Sequence, residues 1–332
     1  MKNYVKKSIG MLLFCIPSLV FANNVEKETA ILSSIYDNVI VKDTRNAKQS
    51  CDLFLTDLTK NQSQDRYQQD FKRLILNWKK VEANYIAADM NADLIDLPTY
   101  LDIFHLGNEE ISKSILRLLE GNQDPQIALF KNSYKSFTAL ETVLYTKGEW
   151  TERRTQFANI MVDTICERLS EIDEFYTTNK AQFIKDPNNA IKMLIDVMAD
   201  RVFKLKDWRL GDPAGVTSKY KGNPEPMRAE YPLSQLSIEA AKAIIDAQQS
   251  LIGKQKFDNF ATLLRLRGLD KGVTTAQHHL TKISNQLAKL NNFNAQDIKP
   301  IMLDLAHLYF TYYTTILEQL PIEGKILEAD GD

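Results

Sequence analysis

The stretch Lys135-Ser-Phe-Thr-Ala-Leu-Glu-Thr-Val-Leu-Tyr145 decides the fold class that we predict, because its apolar residues recur at helical spacing. The apolar stripe consists of Phe137, Leu140 and Leu144. These positions are i, i+3 and i+7, which is the 3.6-residue period of an α-helix. Thr138 and Glu141 are three residues apart and are therefore neighbours on the helix surface. A hydroxyl and a carboxylate beside a packed stripe form a small polar site inside a helical bundle.

The same period continues outward from this stretch in both directions. Glycine and proline are few, 12 and 10, and no segment shows strand alternation bounded by hairpin signals. Helices are predicted over residues 24–60, 64–88, 99–119, 125–146, 151–178, 186–205, 233–253, 257–268, 272–290 and 297–319. We therefore predict an all-α fold built of two up-and-down helical bundles.

The first 22 residues have the pattern of a secretory signal peptide. Lys2, Lys6 and Lys7 form a basic segment, an apolar segment follows, and Ala22 precedes the expected cleavage site. The apolar segment is short for a membrane span, although an uncleaved N-terminal anchor is the alternative. We expect an exported protein, periplasmic in a cell with two membranes.

The rest of the chain divides at its one long irregular segment, residues 208–232, which is rich in glycine and proline. Such a long loop inside a compact domain is usually functional or a linker. We predict an N-terminal bundle over residues 23–207, a connecting loop over 208–232 and a C-terminal bundle over 233–332.

Charge and hydropathy exclude two classes of partner. Without its three signal-peptide lysines, the chain has 38 basic and 43 acidic residues, a formal charge of −5. It lacks the basic stripe that nucleic-acid binding needs. The mature chain has no apolar run long enough to cross a membrane, so no transmembrane segment is expected.

Cys51 and Cys166 are the two cysteines of the mature chain. An oxidising compartment allows them to form a disulfide if the fold packs their helices together. Two separately buried thiols are the alternative, because sequence does not determine the geometry.

The central helix resembles the signature of the imelysin (insulin-cleaving membrane protease) family, Gly-x-His-x-x-Glu. Ser136 stands at the glycine position, Thr138 at the histidine position and Glu141 at the glutamate position. Residues 204–215 resemble the family's Leu-Gly-x-Pro-x-Gly segment, and residues 230–237 resemble its Glu-x-x-x-Ser-x-x-Ser segment. The resemblance extends over about residues 25–320.

This resemblance implies two bundles packed side by side, with a ligand site in the groove between them. Family members are exported or surface proteins of bacteria, often linked to iron or other metal uptake, and some were first described as peptidases. Thr138 and Glu141 would lie near the groove, and the segment from Arg209 to Ser237 would form its other wall.

Four residues of that segment are candidate ligand groups, each with a simpler structural alternative. Arg209 and Asp212 either anchor a polar ligand or form an ion pair within a turn, which contributes little if it is exposed. Glu230 either binds a ligand or complements a helix N-terminus. Ser234 is either a ligand group or a helix N-cap.

Metal candidates are Glu141, His105 and Glu109. His105 and Glu109 are at i and i+4 of the predicted helix 99–119, so both could face one ion, and imidazole and carboxylate suit zinc, iron or copper. An exposed helix face is the alternative. The remaining histidines are the adjacent His278 and His279, which point in different directions, and His307, which we expect in the core.

We favour an exported imelysin-like binding protein that acts in iron or other metal acquisition, with a divalent metal, iron or a small organic molecule as its ligand. A metallopeptidase using Glu141 is the alternative, although the sequence lacks the ligand motifs of known zinc peptidases. A non-catalytic interaction module that binds an envelope protein is the second alternative.

Overall fold

The structure is a computed structural model that describes residues 17–105 and 109–320, with side chains from residue 24 onward. This part of the chain is all-α and contains no β-strand. None of its helices is both long and apolar enough to cross a membrane. The predicted signal peptide, residues 1–22, lies outside the described side chains and stays a prediction.

The α-helices follow the apolar periodicity of the sequence. They are α1 Pro17–Ile35, α2 Lys42–Thr59, α3 Gln64–Ala83, α4 Ala87–Met90, α5 Leu97–Leu101, α6 Ile111–Glu120, α7 Pro125–Ala128, α8 Phe137–Tyr145, α9 Glu152–Thr178, α10 Lys180–Ile184, α11 Pro187–Lys204, α12 Ser237–Ile252, α13 Phe260–Leu266, α14 Asp270–Lys289 and α15 Ala295–Phe310. π-Helical turns cover Tyr36–Val41, Leu205–Gly211 and Thr311–Ile316, and 3₁₀ turns cover Ala92–Leu94, Asn132–Lys135, Pro226–Arg228 and Leu317–Gln319. The all-α prediction is confirmed.

Two groups of helices share one continuous apolar core. In the first group, α2 packs against α3 and α9, and α8 packs against α3, α6 and α9. In the second group, α14 packs against α12 and α15, and α15 also packs against α11. The contact between α3 and α12 joins the groups, so residues of α3 are placed next to the C-terminal half of the chain. The predicted domain limits at residues 207 and 233 stay a prediction.

A disulfide between Cys51 and Cys166 joins α2 to α9, with a Cα–Cα distance of 5.5 Å. This distance lies in the normal range for a disulfide. Between the two alternatives for the cysteines, the structure therefore has the paired form.

The predicted helix over residues 99–119 is wrong. Its first part ends at Leu101, and the next helix begins at Ile111. Between them, the backbone of Asp102 is extended and His105 has a φ of 60°, a conformation that interrupts a right-handed helix. The side chain of Asp102 is thereby directed toward α3, where it meets Trp78 and Lys79.

The irregular segment begins later than predicted, because α11 continues as a π-helical turn to Gly211. The chain then turns tightly at Gly215, where φ is +65° and an added Cβ would lie 2.6 Å from the nitrogen of Pro224. Only glycine fits this turn. The segment then returns to the protein interior, where Glu230 and Tyr231 are buried.

Candidate functional site

Ser136 is the N-cap of the central helix α8, and its hydroxyl accepts a hydrogen bond from the amide of Ala139. The amides of the first turn of a helix have no carbonyl partner within the helix, and the Ser136 hydroxyl supplies an acceptor for one of them. Thr138 donates its hydroxyl to the carbonyl oxygen of Ile103 at 3.3 Å. Glu141, one turn further along the same side of the helix, is 2% exposed. The sequence therefore places a carboxylate inside the bundle.

Glu141 bonds to Ser234, so two predicted site residues meet. The amide and the hydroxyl of Ser234 both donate to Glu141 Oε1, at 2.8 and 2.5 Å. Burial raises the pKa of Glu141 to about 7, although both hydrogen bonds favour the ionised form. The carboxyl group therefore changes charge near neutral pH.

Lys79 lies at the centre of a buried cluster of carboxylates. Its ammonium donates to Glu82 at 2.7 Å, to Asp102 at 2.5 Å and to Glu230 at 2.6 Å. These bonds use all three ammonium protons. The side chain of Lys79 is fully buried, and its carboxylate neighbours raise its pKa against the opposing effect of burial.

Arg209 adds a second buried cation. It donates to both oxygens of Glu230, at 2.8 and 3.1 Å, and to Glu82 at 2.9 Å. Arg201 also reaches Glu82, at 3.1 Å. Burial opposes ionisation of Glu82, but Arg209 and Lys79 hold its pKa well below its usual range. We call Lys79, Glu82, Asp102, Arg201, Arg209 and Glu230 the buried charge network.

Two further donors fix Asp102 within the network. The indole nitrogen of Trp78 donates to Asp102 Oδ2 at 3.1 Å, and the hydroxyl of Tyr231 donates to the same oxygen. The other oxygen, Oδ1, is buried and has no hydrogen-bond partner among the described residues. An unpartnered buried acceptor of this kind indicates water or a ligand that the network accommodates.

A cavity of about 470 Å³ opens beside the network, and we call it the main cavity. Its walls include Glu82, Tyr85, Asp102, Phe104, Asp196, Asp200, Arg201, Lys204, Trp208 and Arg209. Within the described residues, Arg209 Nη1 and Asp196 Oδ1 are also buried without a hydrogen-bond partner. The lining thus offers unused donors and acceptors together with aromatic faces.

A smaller cavity of about 300 Å³ borders the central helix. It is lined by Thr138, Glu141, Glu230 and Tyr231, and it shares Phe104 with the main cavity. We call the two cavities together the groove. Thr138, Glu141, Arg209 and Glu230, predicted as ligand residues, all border the groove. Ser234 reaches it through Glu141.

Asp212 is held outside the groove by His105. His105 Nε2 lies 2.9 Å from Asp212 Oδ2, and the Thr217 hydroxyl donates to Asp212 Oδ1 at 2.6 Å. The imidazole stacks on the indole of Trp208, with centroids 4.7 Å apart and planes 4° apart. Burial lowers the pKa of His105 and outweighs the opposing effect of Asp212.

The predicted arrangement of His105 and Glu109 on one helix is wrong, because neither residue belongs to a helix. Glu109 pairs with Lys131 at 2.7 Å, whereas His105 pairs with Asp212. Both side chains border a further surface cavity of about 420 Å³, but each already has another partner. His105 and Glu109 therefore do not have the i and i+4 helical geometry that predicted a shared metal ion.

Three structural alternatives from the sequence are also wrong. Arg209 and Asp212 do not pair with each other, since Arg209 bonds to glutamates and Asp212 to His105. Ser234 is not an N-cap, because α12 begins at Ser237. Glu230 does not complement that helix start, since its carboxylate bonds to Lys79 and Arg209.

These donor sets do not fit a transition-metal ion in the groove. Glu141 has hydroxyl and amide partners, and the position that would place an imidazole one turn away is Thr138. Glu82, Asp102 and Glu230 have oxygens close enough to ligate one ion, but the Lys79 ammonium lies among them. No histidine or cysteine is among the described residues that line the main cavity. The described residues of the groove therefore do not form the three-ligand set that a zinc peptidase uses.

The sequence patterns did not indicate Lys79, Glu82 and Asp102 as site residues. A signal for Lys79 exists, because it follows Phe71 and Ile75 at i+8 and i+4 and thus belongs to the apolar face of its helix. A charged residue on such a face is buried only when it is paired. Asp102 has no comparable signal, since its position depends on the break in the predicted helix.

Comparison with known proteins gives one family. The sequence model of the imelysin family matches residues 34–301. No curated protein sequence matches the chain. An imelysin-like protein from Psychrobacter arcticum 273-4 has a similar fold, with a TM-score of 0.74, 13% identity, and coverage of 91% of this chain and 98% of that one.

A second similar fold belongs to a protein from Parabacteroides distasonis ATCC 8503 that is described as a putative iron-regulated protein A precursor. Its TM-score is 0.68, its identity is 14%, and the alignment covers 89% of this chain and 95% of that one. At such identities the two structures establish the shared fold.

Proposed function

The chain belongs to the imelysin family, and we propose that it is an exported binding protein that acts in iron or other metal acquisition and holds its ligand in the groove. The main cavity is the observation that carries this proposal. Its volume, about 470 Å³, suits a small organic molecule rather than a single ion. Arg209 and Asp102 on its wall each keep a buried polar atom without a hydrogen-bond partner among the described residues.

The chemistry of the groove favours a metal bound as an organic complex. The network carboxylates are already neutralised by Lys79 and Arg209. The described residues of the main cavity wall include none of the imidazole or thiolate donors that select transition metals. Tyr85, Phe104 and Trp208 offer aromatic faces for the organic part. The iron-regulated neighbour supports iron as the metal.

Calorimetric titration tests the ligand. We would titrate the mature protein with ferric citrate and separately with Fe²⁺, Cu²⁺ and Zn²⁺, and compare Trp208→Ala and Asp196→Asn with wild type. We expect wild type to bind ferric citrate saturably. Binding should weaken about tenfold or more in the two groove variants, because each removes a side-chain contact from the cavity wall. Lys48→Ala is the matched control, because Lys48 is partly exposed on α2 and lines neither cavity of the groove.

Absence of saturable binding to every probe would remove metal acquisition from the proposal. Equal affinity in wild type and in both groove variants would show that the ligand binds outside the groove. Export is tested separately, by fractionating the cells and measuring the mass of the envelope form. Cleavage after Ala22 gives a chain that begins at Asn23; a full-length chain in the cytoplasm would contradict export.

A further inference from the structure

A group of metal-ligating side chains lies away from the groove, where α14 packs against α15. His279 comes from α14, and Asp304 and His307 come from α15. One donor atom from each lies within 4.8 Å of the other two. We propose that His279, Asp304 and His307 bind one divalent transition-metal ion of the Cu²⁺ or Zn²⁺ type at this surface.

The geometry is close to that of a three-ligand site. His279 Nδ1 lies 3.2 Å from Asp304 Oδ1, near the separation of about 3.4 Å between two ligands of a tetrahedral ion with bonds of about 2.0–2.1 Å. Asp304 and His307 are three residues apart on one helix face. The rings of His279 and His307 have centroids 5.2 Å apart, so small side-chain rotations bring both imidazoles to one ion.

The chemistry of these donors selects the class of metal. Two imidazoles and one carboxylate suit zinc, copper and nickel, and Cu²⁺ binds most tightly among common divalent ions. His307 is exposed, contrary to the core position expected from sequence. Three protein ligands at the surface leave an open coordination position for water or for a group that delivers the metal.

Asp304 is already held in position. Its side chain is 2% exposed, and it accepts hydrogen bonds from Lys282 at 2.9 Å and from Gln286 at 3.0 Å. Gln286 bonds to Oδ2 and orients the carboxylate, as outer-shell partners of metal ligands do. Lys282 bonds to Oδ1, the oxygen that faces His279, and its ammonium therefore competes with the ion.

The competition between the Lys282 ammonium and the ion predicts that a variant without this ammonium binds metal more tightly. Lys282 is 53% exposed and loses little when it turns to solvent. Its replacement by alanine removes the competing charge, and we expect tighter metal binding. Loss of folding cannot imitate a gain of affinity.

The experiment is competition between the mature protein and a chromophoric chelator for Cu²⁺ and for Zn²⁺. His279→Ala and His307→Ala are expected to weaken binding about tenfold or more, because each removes one of three ligands. Lys282→Ala is expected to strengthen it. His278→Ala, one residue from His279 but outside the group, is the matched control and should bind within about twofold of wild type.

Equal weakening in His278→Ala would indicate nonspecific binding by surface histidines and would overturn the site, as would unchanged binding in His279→Ala and His307→Ala. Failure of Lys282→Ala to strengthen binding would overturn the role of Asp304 Oδ1. Trp208→Ala leaves this site intact, so the result is independent of the groove.

Discussion

Ser234 donates both its amide and its hydroxyl to one oxygen of Glu141, 93 residues earlier in the chain. This contact joins the central helix α8 to the segment that leads into α12. It also removes Glu141 from water, and burial then raises the pKa of the carboxyl group to about 7. The charge of Glu141, and with it the contact between α8 and the segment before α12, therefore depends on pH.

Stability should fall as pH rises from about 4.5 to about 7 because of Glu141. In this window the folded protein keeps a proton that the unfolded chain releases, so the folded state is progressively disfavoured. The rise in pKa to about 7 from the ordinary glutamate value of 4.5 corresponds to at most about 3–4 kcal/mol. Denaturant unfolding at several pH values, in wild type and in Glu141→Gln, measures the effect.

Glu141→Gln should lack this part of the pH dependence, because its amide does not titrate. Glu149→Gln, an exposed glutamate just after the same helix, is the control and should keep the wild-type dependence. The prediction is wrong if wild type and Glu141→Gln lose stability equally over this range.

Replacement of Lys79 by methionine should destabilise the protein by about 3–5 kcal/mol, the usual cost of removing one member of a buried ion pair. Methionine keeps the length of the side chain but leaves Glu82, Asp102 and Glu230 without a shared donor. Chemical denaturation monitored by circular dichroism gives the difference in unfolding free energy.

Lys72 on the same helix provides the matched control. It pairs with Glu239 at 2.6 Å, but the two side chains are 47% and 40% exposed. Lys72→Met should therefore change stability by less than about 1 kcal/mol. Similar losses in both variants would contradict the central role assigned to Lys79.

The helices were predictable wherever packing depends on a local period. On α3, the stripe of Phe71, Leu74, Ile75 and Trp78 is fully buried, as its spacing indicates. Periodicity failed just after Leu101, because the extended backbone of Asp102 places its carboxylate against Lys79. A tertiary contact outweighed local propensity, which is a weak constraint.

The candidate site was predictable only in part. Glu141, Glu230 and Arg209 come from segments that match family motifs, and all three border the groove. Their partners were not predictable, since the pairing of Lys79 with Glu230 spans 151 residues and has no local pattern. Arg209 and Asp212 are only three positions apart, but they do not pair with each other. Each bonds instead to a residue that is distant in sequence, Arg209 to Glu230 and Asp212 to His105.

His105 should titrate with a midpoint below 6.5, because burial lowers its pKa. Asp212 opposes this effect, so Asp212→Asn should lower the midpoint further. The unfolded imidazole gains its proton at a higher pH than the folded one, so stability falls as pH decreases through this window. NMR titration measures the midpoint, and His105→Gln assigns the signal.

Asp207→Asn is the control for this titration. Asp207 belongs to the same turn as Trp208 but pairs with Lys206 at 3.2 Å. Its replacement should leave the midpoint nearly unchanged. A midpoint that rises in Asp212→Asn would show that Asp212 does not stabilise the imidazolium form.

Loss of the disulfide between Cys51 and Cys166 should lower the free energy of unfolding by about 2–5 kcal/mol, because the bond closes a long loop of the unfolded chain. The cysteines are 115 residues apart, and the bond joins helices whose side chains already pack in the core. We therefore expect the reduced protein to fold at room temperature with a lower denaturation midpoint. The double variant Cys51→Ala, Cys166→Ala should match the reduced wild type and should not respond to reductant. Equal midpoints for oxidised and reduced wild type would show that the paired cysteines do not restrict the unfolded chain.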